Sequence, residues 1–70
     1  MVGNNKAVIQ HALGDVQYKR VYDFLKYNRK KGTDEATIHS EIKKMVNGDK
    51  RLMNHCFNLD GIVFMELLRE

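Results

Sequence analysis

The sequence predicts a small, mainly α-helical domain, and three observations carry that reading. Apolar residues recur at helical rather than alternating spacing over most of the chain. Glycines at 14, 32, 48 and 61 divide it into intervals of ordinary helix length, and there is no proline. Hydrophobic residues make up 43% and charged residues 30%, a balance typical of a folded globular chain and not of a disordered tail.

The first helix is expected over Asn5 to Leu13, where Val8, Ile9, Ala12 and Leu13 share helical spacing. Asn4 or Asn5 can cap its start, and Gly14 can close it in a left-handed conformation. Asp15 then offers a cap for the longest helix, Val16 to about Lys31. Its core side is Tyr18, Val21, Tyr22 and Leu25, and Lys19, Asp23, Lys26 and Lys30 mark another side. Arg29-Lys30-Lys31 sits where the helix dipole favours cations, and Gly32 ends the element.

Thr33 and Asp34 are good caps for a third helix running to about Val46, with Ile38, Ile42, Met45 and Val46 on its apolar face. Asn47-Gly48 is a turn dipeptide. Asp49 caps a fourth segment to about residue 58, in which Leu52, Met53, Cys56 and Phe57 share one face. Lys50, Arg51, Asn54 and His55 lie on the other. The end of the chain reads two ways. Asp60-Gly61 before Ile62-Val63-Phe64 favours a β-hairpin with a strand over 62–66. Phe64, Leu67 and Leu68 suit a terminal helix capped by Asp60 instead. The expected core is Val8, Ile9, Leu13, Val21, Leu25, Ile38, Ile42, Leu52, Cys56 and Phe57.

Seventy residues form one domain, with residues 1–4 a flexible polar lead. So short a chain buries only about 60% of its unfolded surface and leaves little room for an enclosing pocket. No apolar run approaches a signal-peptide core or a membrane span. A single cysteine, Cys56, cannot form an internal disulfide, which fits a reducing cytosolic or nuclear setting.

Metal and catalytic chemistry find little support. His11, His39, His55 and Cys56 are the soft ligands, but zinc sites use closely spaced pairs. Adjacent residues such as His55 and Cys56 point about 100° apart on a helix. Cys56 falls on an apolar face, where burial keeps a thiol protonated. Ser40 beside His39 lacks the geometry of a triad, and Gly48-Asp49-Lys50 lacks the glycine pattern of a phosphate loop. The sequence therefore predicts no enzyme, no metal and no cofactor.

Charge is more informative. Twelve Lys and Arg stand against nine Asp and Glu, and the pI is about 9.2. Between Val16 and Lys31, Lys19, Arg20, Lys26, Arg29, Lys30 and Lys31 face only Asp23, a local +5. From Gly32 to Asp49 the balance is −2. Such concentration suits a phosphate backbone, although it also describes an ordinary solvated helix face.

The order long helix, turn, helix, turn, helix resembles a helix-turn-helix arrangement over residues 16–67, winged-helix-like if Asp60-Gly61 forms a hairpin. That plan implies that Lys50, Arg51, Asn54, His55 and Asn58 read base edges in the major groove. The expectation is a basic nucleic-acid-binding regulatory domain using both surfaces. The alternative is a non-enzymatic protein-interaction module, with a homodimer as one form of it. Tyr27, off the apolar stripe of its helix, is its most exposed aromatic candidate.

Overall fold

The computed structural model describes residues 5–70; the expected lead at 1–4 lies outside them. The described residues form four helices and no strand: α1 (Asn5–Leu13), α2 (Asp15–Lys31), α3 (Glu35–Met45) and α4 (Lys50–Leu68). None is long and apolar enough to cross a membrane.

The joints follow local chemistry. Gly14 alone separates α1 from α2. Its φ of 85° and ψ of 155° lie in a region that only glycine occupies readily, and not in the left-handed helical region the sequence suggested. Its amide donates to the Gln10 carbonyl at 2.8 Å. A one-residue joint leaves no place for a separate cap, so Asp15 is the first residue of α2, where its carboxylate accepts from Gln10 Nε2 at 3.1 Å. Gly32 does adopt the left-handed conformation, and the amides of Gly32 and Thr33 both donate to the Asn28 carbonyl at 3.0 Å. Asp34 caps α3 by accepting from the Thr37 amide, and Asp49 caps α4 by accepting from the Arg51 and Leu52 amides.

The C-terminal hairpin, and with it the wing, is not formed. Asp60 and Gly61 lie inside α4, which runs unbroken for 19 residues. Cys56, Leu59 and Val63 are completely buried, and their spacing of i, i+3, i+7 continues the apolar face of the N-terminal half. Asp60 on the same face is held by Arg29 of α2. Gly61 falls on the outward face, where a helix tolerates it at a cost of about 1 kcal/mol. Packing along one continuous face outweighs the β preference of Ile62-Val63-Phe64.

The core is Ile9, Val21, Leu25, Ile38, Ile42, Val46, Cys56, Leu59 and Val63. Leu13, Leu52 and Phe57, expected inside, pack against it while half-buried. Val8 is 57% exposed, because only Ile9 of that adjacent pair can point inward from so short a helix. α4 packs on all three other helices. The molecule measures 30 × 27 × 18 Å, so its thinnest dimension is about two helix diameters.

Candidate nucleic-acid interface

α2 places its basic residues outward but does not leave them free. Val21 and Leu25 face inward, so the helical repeat turns Lys19, Arg20, Lys30 and Lys31 to solvent. Lys19 pairs with Asp23 at 3.4 Å, Lys26 with Glu70 at 3.4 Å, and Lys30 meets the same Glu70 at 4.0 Å. Lys31 lies over the Tyr27 ring, 5.3 Å from its centre. Among the described residues, only Arg20 and Lys31 of this set have no carboxylate partner.

Arg29 is a structural residue. Its side chain is 19% exposed and bridges α2, α3 and α4. Nε and Nη2 donate to the Asp60 carboxylate at 2.9 and 2.6 Å, while Nη1 and Nη2 donate to Glu35 at 3.0 and 3.2 Å. The two carboxylates raise the guanidinium pKa further, and Arg29 holds Glu35 below its ordinary value. Four of its five N–H donors are taken by two acids, which leaves little of this guanidinium for a phosphate.

A second network ties α1, α2 and α4. Tyr22 donates to Glu66 at 2.6 Å, and Lys6 pairs with the other oxygen of that carboxylate. These bonds lower the pKa of Glu66 and raise those of Tyr22 and Lys6. Lys6 and Lys26 both lie over the Tyr22 ring. Tyr18 stacks on Tyr22 with ring centres 6.1 Å apart, so both belong to the packed interior edge. Tyr27, by contrast, is 64% exposed.

On α4, Lys50, Arg51, Asn54 and Asn58 are exposed and lie on the side opposite Cys56, Leu59 and Val63. His55 is half-buried and turns toward α1, where it lines a groove of about 270 Å³ with Val8, Ile9, Asn58 and Ile62. The outward residues of α2 and those of α4 stand on the sides of their helices turned away from the buried core residues.

Lys50 and Arg51 at the start of α4 follow two exposed cations in the last turn of α3, Lys43 and Lys44, across one tight turn. Asn47 (φ 55°) and Gly48 (φ 73°) are both left-handed and fold the end of α3 back toward α4. The Asn47 and Gly48 amides donate to the Lys44 and Lys43 carbonyls at 3.2 and 2.9 Å. The Lys43 side chain passes Gly48, its Cε 4.0 Å from where a Cβ would stand. Lys44 pairs with Glu41 at 3.6 Å. The available signal was Lys43-Lys44 followed by a tight Asn-Gly turn and then Lys50-Arg51.

Cys56 is fully buried, and burial pushes its thiol up to about 11. His39 packs against Phe57 with ring centres 4.7 Å apart and meets Glu35 at 3.2 Å. Among the described residues, no three His, Cys, Asp or Glu side chains gather as metal ligands. No protein-family model, curated protein or solved structure matches the chain.

Proposed function

We propose that this chain is a non-catalytic nucleic-acid-binding domain that works through the α3–turn–α4 corner. One observation carries the reading: Lys43, Lys44, Lys50 and Arg51, all exposed, surround a single tight turn, and only Lys44 of the four has a carboxylate partner among the described residues. Asp49 lies among them, but its carboxylate is engaged in capping α4. The four cations would contact phosphates, which position a protein on a duplex without reading sequence. Asn54 and Asn58, one and two turns further along the same outward face, have the donor–acceptor pair that suits adenine. The basic face of α2 plays no part in this version of the interface.

The experiment is a salt titration of binding to a B-form duplex. Four phosphate contacts predict a slope of log affinity against log salt of about −3.6. Lys50→Ala with Arg51→Ala should reduce that slope by nearly half, whereas Lys19→Ala with Lys30→Ala should leave it unchanged. No binding at low salt, or equal sensitivity to the two double variants, overturns the reading. A second reading, an interaction module, draws support from a different observation. Phe64, Met65 and Leu68 on α4 are large apolar side chains more than half exposed.

A further inference from the structure

We infer, resting on the nucleic-acid reading above, that the depression beside Phe57 holds one unpaired base, so that the corner prefers a place where duplex gives way to single strand. Lys50, Met53, Asn54 and Phe57 line an open depression of about 240 Å³. Their spacing of i, i+3, i+4 and i+7 puts them on one side of α4.

Size and lining both select the occupant. The volume falls below the ~300–1,000 Å³ of sites that take a drug-sized molecule, and it suits one planar heterocycle. Phe57 and Met53 are half-buried and offer a ring and a polarisable thioether, groups on which a flat aromatic ring packs well. Asn54 is exposed and brings to the rim the amide donor and acceptor that suit an adenine edge. Lys50 supplies a cation for the phosphate of the same nucleotide.

A base inside a duplex cannot use this depression. Its two faces are covered by its stacked neighbours, and only its edges are open to a protein. An unpaired base has a free face, and stacking that face on an aromatic side chain is a general way to hold it.

The fold braces the ring in advance. His39 of α3 packs on Phe57 with ring centres 4.7 Å apart. His39 meets Glu35 at 3.2 Å, and Glu35 is held in turn by Arg29. Phe57 is thus supported from a second helix. Lys43 stands four residues after His39 and so on the same side of α3. Each helix therefore contributes one cation, Lys43 or Lys50, and neither has a carboxylate partner among the described residues.

The test titrates the full chain with a blunt B-form duplex, with the same duplex carrying a short single-stranded adenine overhang, and with that overhang made abasic. The two overhangs carry equal charge and differ only in their bases. The adenine overhang should bind about tenfold more tightly than the abasic one, as one base–aromatic stack supplies. That ratio should change little with salt, because no phosphate contact distinguishes the two probes. Phe57→Leu keeps the apolar bulk without the π-face, and should bring the ratio close to one with helical circular dichroism unchanged. In the wild-type protein the Met53 methyl resonance should shift with the adenine overhang and stay in place with the abasic one, a readout that needs no variant. Equal affinity for the two overhangs, an unmoved Met53 methyl, or a ratio that survives Phe57→Leu overturns the inference. Blunt-duplex binding that still depends on Lys50 and Arg51 would then leave the corner standing. A base preference without any blunt-duplex binding does the reverse, sustaining the depression and removing the duplex reading.

Discussion

Arg29 on α2 and Asp60 on α4 meet through two parallel hydrogen bonds, 2.9 and 2.6 Å long, across 31 residues of sequence. Asp60 is buried, and Glu35 of α3 completes the bridge from the solvent side. Removing one partner leaves the other charge with little water to replace it. Asp60→Ala should therefore destabilise the fold by about 3 kcal/mol, toward the lower end for a buried pair because Arg29 keeps some exposure. The double variant Arg29→Met, Asp60→Leu should recover much of that loss. Urea denaturation of the three proteins measures both effects, and equal loss in the single and double variants would contradict the account.

The Lys6–Glu66–Tyr22 network predicts the shape of the pH dependence. Glu66 titrates below its ordinary 4.5 because Lys6 and Tyr22 stabilise its carboxylate. A group lowered by folding contributes fully above its unfolded value, and that contribution is lost as pH falls through its folded value. Tyr22 and Lys6 are raised, so their contributions hold below their ordinary values of 10.0 and 10.5 and are lost as pH rises through the folded ones. Stability should thus be flat near neutrality and fall on both sides. Glu66→Gln should flatten the acid limb without abolishing it, since Arg29 also lowers Glu35. Denaturation midpoints across acidic pH, compared for the two proteins, provide the check.

Helix spacing made α2 and α3 legible, because Val21, Leu25, Ile38 and Ile42 follow it and all four are buried. The caps Asp34 and Asp49 and the stop at Gly32 were equally legible, since each acts through its own neighbours. Residues 60–68 were not. Their local pattern allows strand or helix, and the choice is made by Arg29, far away in sequence, and by a face that Cys56 begins. Two of the three missed core members, Leu59 and Val63, follow from that one ambiguity, and the third, Val46, lies on the apolar face expected of α3. The charge count of α2 was legible, but its cancellation was not. Asp60 and Glu70, which neutralise Arg29, Lys26 and Lys30, lie 31 to 44 residues away. The corner formed by Lys43, Lys44, Lys50 and Arg51 needed the turn geometry as well as the composition.

Leu59 offers a direct test that α4 is continuous. It is completely buried, whereas in a hairpin it would sit beside an exposed turn. Leu59→Ala should cost about 2–5 kcal/mol, as a truncation in a packed core does. Leu68→Ala, at an exposed position, should cost well under 1 kcal/mol in the monomer. Thermal melts at low protein concentration distinguish the two, and similar melting of both variants would contradict an unbroken helix.

Gly32 and Gly61 should respond to alanine with opposite signs. Gly32 holds φ 84° at the end of α2, a conformation that a side chain makes unfavourable by about 1 kcal/mol or more. Gly61 lies in the interior of α4 with open space around its missing Cβ. There alanine removes only the conformational freedom that glycine has in the unfolded chain, and it should stabilise the monomer by roughly 0.5–1 kcal/mol. Urea denaturation of the two variants beside the wild type reads both signs. A Gly61→Ala protein less stable than wild type would mean that α4 does not pass through Gly61 as a regular helix.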